Sequence, residues 1–176
     1  IALTGANAAI TIDADNVTLD LMGFSLTNNN TPSFAAYGVY ITGQKNVEVR
    51  NGSIINFQEG LQETSTSGAN HRALNLRLSK NGDAIYLRGT GHLVQNCTAS
   101  NNAYGIYING GTIIDCVACN NTTAGIRLSG AGSVLGNIAS NNATYNFYLG
   151  TASTATNIIV NRNSATGLAT NYYRPA

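Results

Sequence analysis

Short apolar–polar–apolar segments recur along the chain, each beginning with a small or polar residue. The clear copies are Gly38-Val-Tyr-Ile, Ala84-Ile-Tyr-Leu, Gly105-Ile-Tyr-Ile, Gly125-Ile-Arg-Leu and Asn146-Phe-Tyr-Leu. The last four copies begin 21, 20 and 21 residues apart, and Gly60-Leu-Gln-Glu is a degenerate copy between the first two. Alternation over so few residues is typical of a half-buried β-strand. The pattern therefore predicts one short strand in every repeat of about 21 residues.

A second pattern follows each of these strands. It is clearest in Val94-Gln-Asn-Cys-Thr-Ala-Ser-Asn-Asn, Ile113-Ile-Asp-Cys-Val-Ala-Cys-Asn-Asn and Val134-Leu-Gly-Asn-Ile-Ala-Ser-Asn-Asn. A repeat of this length is too short for a propeller blade and lacks the leucine-rich pattern. It fits a chain that returns once per repeat, so that equivalent strands stack in parallel with right-handed crossovers.

The sequence thus predicts an all-β fold, a single right-handed parallel β-helix of about seven coils. The domain is expected to span 1–176, with repeats over about 10–163 and a C-terminal cap or tail at 164–176. In the cap, Tyr172 and Tyr173 are expected to fold over the last coil as a lid. Residues 1–9 are expected to form one more strand, and we expect no capping helix within them.

Alternation assigns the first strand of each repeat an inner and an outer side. The inward positions are Val39, Ile85, Ile106, Ile126 and Phe147, and two residues later Ile41, Leu87, Ile108, Leu128 and Leu149. Between them lies an outward column, formed by Tyr40, Gln62, Tyr86, Tyr107, Arg127 and Tyr148. Tyr40, Tyr86, Tyr107, Arg127 and Tyr148, here called the outer ladder, are candidate contacts for carbohydrate or a protein partner. The alternative is that these residues only stabilise the strands.

Asparagine is unusually frequent, with 25 copies in 176 residues. The repeated Asn101, Asn120 and Asn141 are predicted at a corner of the coil. There Asn tolerates a left-handed backbone, and its amide can bond to the equivalent amide in the next coil. Three cysteines cannot all pair internally, and Cys97 and Cys116 are expected to be small core residues. We expect no metal site and no cofactor.

Charge and hydropathy narrow the possible partners. Nine basic residues balance eight acidic ones without a basic cluster, so no nucleic-acid partner is expected. No apolar stretch is long enough to span a membrane. Solenoid ends without polar caps expose strand edges, and few charges protect them here. The expected partners are therefore copies of the protein itself or a flanking capping domain, with polysaccharide as a further possibility. The expected location is secreted or on the cell surface.

Several segments resemble a known group of proteins. Asp15-Asn-Val-Thr-Leu-Asp-Leu-Met-Gly-Phe, Val47-Glu-Val-Arg-Asn-Gly-Ser and the run from Asn96 to Tyr107 are similar to the pectate-lyase-like superfamily, most closely its NosD-like, repeat-only members. The resemblance covers about residues 10–163 and implies the parallel β-helix fold. Enzymes of that superfamily cleave or epimerise acidic polysaccharides. The motifs of its polygalacturonases, alginate epimerases and calcium-dependent pectate lyases are missing from this sequence.

The remaining catalytic candidates surround a Ser/Thr-rich excursion at 64–70. They are Glu63, His71, Arg72 and Asp83, residue types suited to general acid–base chemistry. Since no recognised catalytic motif is present, the sequence favours a non-catalytic extracellular structural module that self-associates, end to end or laterally, into a fibre, appendage or surface assembly. The alternative is a polysaccharide-binding or polysaccharide-processing β-helix that uses the outer ladder.

Overall fold

A computed structural model describes residues 2–3, 8–29, 36–150, 157–167 and 169–175, and within these ranges the regular elements are all β-strands. In chain order they are β1 (Ala2–Leu3), β2 (Ile10–Ile12), β3 (Thr18–Asp20), β4 (Ser25–Asn28), β5 (Tyr37–Ile41), β6 (Glu48–Ile55), β7 (Glu59–Glu63), β8 (Arg72–Ser79), β9 (Asp83–Leu87), β10 (His92–Gln95) and β11 (Thr98–Ser100). They continue as β12 (Tyr104–Ile108), β13 (Gly111–Ile114), β14 (Val117–Cys119), β15 (Ala124–Leu128), β16 (Gly132–Leu135), β17 (Ile138–Ser140), β18 (Tyr145–Leu149), β19 (Ile158–Asn161), β20 (Ser164–Thr166) and β21 (Thr170–Tyr173).

The strands form two parallel sheets, a larger sheet of 13 strands and a smaller sheet of eight. The smaller sheet runs β2-β5-β7-β9-β12-β15-β18-β21, so each passage of the chain adds one strand beside the previous one. Between passages the chain contributes one long strand or two short strands to the larger sheet. The eight passages make about six to seven turns of a solenoid, which confirms the predicted β-helix.

The core lies between the two sheets and consists of stacked aliphatic columns. All ten predicted inward positions, from Val39 and Ile41 to Phe147 and Leu149, are buried. The register explains this, because Ile85, Ile106 and Ile126 are Cα partners in successive strands. Each column therefore continues through the core from coil to coil. Cys97 and Cys116 are buried free cysteines in this core, as the sequence predicts.

The corner after the larger sheet corrects the predicted asparagine ladder. Asn101, Asn120 and Asn141 do adopt the left-handed backbone, with φ of 58, 56 and 54°, but their side chains are exposed. The ladder is made instead by the residue that follows each of them and is buried. Because the left-handed residue turns the chain, it directs the next side chain into the solenoid. One corner residue cannot both make this turn and place its own amide in the core.

The buried amides form the inner Asn ladder, defined by Asn81, Asn102, Asn121 and Asn142. The Asn102 Nδ2 donates to Asn121 Oδ1 at 3.1 Å, and Asn121 Nδ2 donates to Asn142 Oδ1 at 2.8 Å. Each oxygen also accepts a backbone N–H from the preceding coil, as in the 3.0 Å bond from Asn102 N to Asn121 Oδ1. Each Nδ2 also donates to a strand carbonyl. The ladder thus satisfies polar groups that burial would otherwise leave unpaired.

The C-terminal segment differs from the predicted cap. The strands β20 and β21 continue the two sheets by pairing with β17 and β18. Tyr172 stacks on Phe147 with ring centroids 4.9 Å apart, so it extends the column rather than folding over it as a lid. At the other end, β1 pairs with β4, and residues 1 and 4–7 of the predicted first strand lie outside the described residues.

Candidate functional site

The structure distributes the four catalytic candidates over three places. Glu63 and His71 lie together in a buried corner between the sheets, with Glu63 Oε2 3.6 Å from His71 Nε2. Arg72 is exposed on the outer face of the larger sheet, and its Nε lies 3.3 Å from Glu48 Oε2. Asp83 lies on the smaller sheet, in register with Glu59 of the preceding strand. The sequence cluster is therefore not a single constellation in space.

The Glu63 carboxylate is enclosed by backbone. Its oxygens accept N–H groups from Gly43 at 2.8 Å and from Ser65 at 2.5 Å. A Cβ atom at Gly68 would lie only 2.8 Å from the carboxyl carbon of Glu63, so the backbone packs directly against this carboxylate at a position that only glycine fits. Burial raises the pKa of Glu63 despite these donors. The side chain ties the 64–70 excursion to the corner and is fully shielded from solvent.

His71 has a defined tautomer. Its Nδ1 accepts the backbone N–H of Val47 at 3.3 Å, so the proton of the neutral ring is on Nε2, which faces Glu63. His92 repeats the arrangement: its Nδ1 accepts His71 N–H at 3.2 Å, and its Nε2 donates to Arg88 O at 2.7 Å. Burial and His92 lower the pKa of His71 to about 4. The two stacked rings thus link coils as the inner Asn ladder does.

From Tyr86 to Tyr148 the outer ladder is a continuous stack. The Tyr86 and Tyr107 ring centroids are 4.8 Å apart. The Arg127 guanidinium lies 4.3 Å from the Tyr107 centroid and 4.7 Å from that of Tyr148. Tyr40 is separate from this run and stacks on Tyr37 at 5.1 Å. All five predicted members are half-buried on the outer face of the smaller sheet.

This stacking determines what the outer ladder offers to a ligand. A ring sandwiched along the solenoid axis has its faces covered by the rings or the guanidinium of neighbouring coils. Its edge and hydroxyl group remain available for contact. The ladder therefore presents a row of polar edges rather than a series of flat aromatic platforms. Its role as a contact surface stays a prediction.

A pair of carboxylates lies beside the outer ladder. Glu59 and Asp83 are Cα partners in β7 and β9, so their side chains leave adjacent strands on the same face. Burial and the charge of Asp83 raise the pKa of Glu59 to about 7. Burial also raises the pKa of Asp83 to about 6, and Arg127 opposes that shift. Sequence reasoning missed Glu59. The available signal was its position, since each acid directly precedes the small residue of its repeat, Gly60 or Ala84.

Gln62 marks the break in the aromatic column. It takes the place of a tyrosine between Tyr40 and Tyr86, as their register shows. Although this column faces outward, Gln62 is only 4% exposed. Its Oε1 is a buried atom with no hydrogen-bond partner, and the same is true of Glu59 Oε2. The described residues thus contain two buried acceptors on one strand that lack donors.

The described part of the chain contains neither a cluster of metal-ligating side chains nor a helix suited to span a membrane. There, no group of three or more His, Cys, Asp and Glu side chains is placed to hold a metal ion. Nor does any helix within those ranges have the length and apolarity needed to cross a bilayer.

Comparison with known families supports the architecture. No curated protein matches the chain. The family described as the right-handed β-helix region matches residues 8–165, which is most of the sequence. The stacked parallel strands and aliphatic columns are those of this fold. The chain therefore belongs to the right-handed β-helix family.

Proposed function

We propose that this protein is a structural β-helix module that associates end to end with copies of itself, outside the cell or on its surface. One observation carries the proposal. Among the described residues, the exposed large hydrophobic side chains lie almost entirely in the first and last coils. They are Met22 and Phe24 in the first coil, Ile159, Val160 and Tyr172 in the last, and Ile138 between them.

The first coil leaves an apolar groove beside the core. Phe24 is 77% exposed and lines a cavity of about 400 Å³. The other apolar lining residues are Ile10, Leu19, Leu21 and Leu26. Within the described residues, β2 pairs with β5 alone and β3 with β6 alone. In the described part of the chain, the other edge of β2 and of β3 thus offers a place for a further parallel strand, whereas β1 occupies that edge of β4.

The last coil offers the complementary edge. Ile159 and Val160 belong to β19, whose described neighbour is β16, and Tyr172 belongs to β21, whose described neighbour is β18. Since each coil of the solenoid is built to stack on an equivalent coil, the best-matched occupant of one end is the opposite end of a second copy. Such head-to-tail contact is heterologous and produces an open fibre unless a ring closes.

The test uses exposed positions, so that the variants keep their fold. We expect the unmodified chain to form larger species as its concentration rises, measured by light scattering after size-exclusion chromatography. Phe24→Ser and Val160→Ser should each stop the growth of these species, because each removes an exposed apolar side chain from one end, Val160 being the register partner of the core residue Val134. Ile138→Ser is the matched control, since Ile138 is 47% exposed on β17, a strand already paired on both sides by β14 and β20.

Mixing the two end variants tests the head-to-tail geometry. Each variant keeps one intact end, so an equimolar mixture of Phe24→Ser and Val160→Ser should form a dimer and stop there. Association that survives both variants, or that Ile138→Ser removes equally, would overturn the proposal. So would a monomer at every concentration, which would make a flanking domain the better occupant of the ends.

A second candidate function is contact with polysaccharide along the outer face of the smaller sheet. The observation that favours it is the Glu59–Asp83 pair, with its raised pKa values, beside the polar edges of the outer ladder. Affinity electrophoresis in gels containing neutral, acidic or amino polysaccharides would reveal retardation. A Tyr86→Ala, Tyr107→Ala double variant should reduce it, and mobility unchanged in every gel would reject this candidate.

A further inference from the structure

Three oxygen-bearing side chains come together where the aromatic column is interrupted. Glu59 and Gln62 occupy the two outward positions of β7, which match Tyr37 and Tyr40 in β5. Those two tyrosine rings are 5.1 Å apart, so side chains at these positions lie next to each other. Asp83 follows directly above Glu59 in β9. The side chains of Glu59, Gln62 and Asp83 therefore form one small polar cluster.

Two buried acceptor atoms of the cluster have no hydrogen-bond partner. They are Glu59 Oε2 and Gln62 Oε1. Among the described residues, no Lys, Arg or His forms a salt bridge with Glu59 or Asp83, and Arg127 acts on Asp83 only through its charge. A buried acceptor without a partner costs free energy, and two neighbouring carboxylates repel each other. A ligand that supplies several N–H donors and a positive charge would relieve both costs.

A primary ammonium group has the matching chemistry. It carries three N–H donors, no acceptor and one positive charge, and the cluster offers two carboxylates and one amide oxygen. Calcium needs six to eight oxygen ligands, more than these three side chains provide. Tyr86 is a favourable neighbour for a cation. Tyr107 covers one face of its ring, and the other face is turned toward the coil that contains Gln62.

We propose that Glu59, Gln62 and Asp83 bind the ammonium group of an amino sugar in a linear polysaccharide. This proposal rests on the second candidate function, contact of this face with polysaccharide. A sugar chain suits the site better than a lysine-bearing peptide. The strands β7 and β9 are paired on both sides, so this face has no free edge to which a peptide strand could add. The hydroxyl groups of the outer ladder continue the polar surface for neighbouring sugar rings.

Calorimetry with two matched oligosaccharides tests the proposal. The probes are the fully deacetylated trimer of glucosamine, which carries ammonium groups, and the trimer of N-acetylglucosamine, which is uncharged. At pH 7 we expect the full chain to bind the charged trimer at least about tenfold more tightly, as one charge-assisted contact implies. Glu59→Gln and Asp83→Asn should each remove most of that difference. Gln62→Leu should weaken binding of the charged trimer by a smaller factor.

The control variant is Asp115→Asn. Asp115 is exposed at a left-handed corner with φ of 52°, a conformation that Asn accepts, so the variant removes one negative charge without disturbing the fold. It should bind like the unmodified chain, which excludes a general effect of net charge. Circular dichroism and melting curves verify that all variants fold.

Each outcome has a defined meaning. Equal affinity for the two trimers, or full binding by Glu59→Gln and Asp83→Asn, would overturn the ammonium site but leave polysaccharide contact standing. Binding of neither trimer would overturn the site, and the second candidate would then depend on the other polysaccharides. A trilysine peptide that binds as tightly as the charged trimer would overturn the assignment to an amino sugar.

Discussion

The inner Asn ladder and the outer ladder are both columns of like residues that repeat once per coil, yet they tolerate variation very differently. Inside, every step from Asn81 to Asn142 is an amide hydrogen-bonded to the next coil. Outside, Arg127 and Gln62 replace tyrosine within the column. Each step of the inner ladder pairs buried amide groups that a substitution would leave without partners, whereas the outer column is joined by ring and guanidinium contacts that require no such pairing. Equal periodicity therefore does not imply equal constraint.

The largest contrast is expected between neighbouring inward and outward positions. Ile106→Asp would place an unpaired charge in a fully buried column and should cost at least about 4 kcal/mol, enough to prevent folding. Tyr107→Asp, one residue away, loses the contacts with Tyr86 and Arg127 and should cost about 1–2 kcal/mol. Urea denaturation followed by circular dichroism measures both. Equal damage from the two changes would contradict the assigned sides of the strand.

The second contrast compares two adjacent asparagines. Asn121→Leu removes the acceptor for Asn102 N and the donors to Ala99 O and Asn142 Oδ1. Leaving these buried groups unpaired should lower the free energy of unfolding by about 3 kcal/mol. The control is Asn120→Gly, an exposed left-handed position that glycine accepts, with an expected change below about 1 kcal/mol. The reverse order of effects would restore Asn120 as the ladder residue.

The smallest contrast concerns pH. The pKa of Glu59 is about 7 in the folded chain and 4.5 normally, so the native state holds this proton more tightly. Stability should therefore fall as pH rises from about 4.5 to 7 and then level off. Glu59 faces Asp83, whose pKa is raised in the same direction, and Arg127 lies on the far side of Asp83.

Replacement of Glu59 by Gln removes this cost. The melting temperature of Glu59→Gln should exceed that of the unmodified chain at pH 8, and the two should converge near pH 4.5. His71 has the opposite effect. Its pKa is lowered from the ordinary 6.5 to about 4, so the stability of the folded chain should fall as the pH drops from 6.5 toward 4. A pH-independent difference between Glu59→Gln and the unmodified chain would show that Glu59 does not titrate as described.

Local patterns were sufficient to predict the architecture. Alternation within each short strand assigned the inward columns, and the period of about 21 residues required parallel stacking. The left-handed corners were also readable, because Asn101, Asn120 and Asn141 stand at equivalent points of successive repeats. These properties depend on a residue's immediate neighbours and on the rise of one coil per repeat, both of which are present in the sequence.

The contents of the candidate site depended on register between coils. Glu63 and Asp83 lie near the same excursion in the sequence, but their positions within the strand place one in a buried corner and the other on the outer face. Glu59 lies next to Asp83 only because the first residue of β7 pairs with the first residue of β9. Which asparagine of each Asn-Asn pair points inward was likewise decided by the left-handed turn at the first of the two. Sequence determines which side of its own strand a residue occupies, whereas tertiary structure decides its neighbours, because turn and loop lengths set how successive coils align.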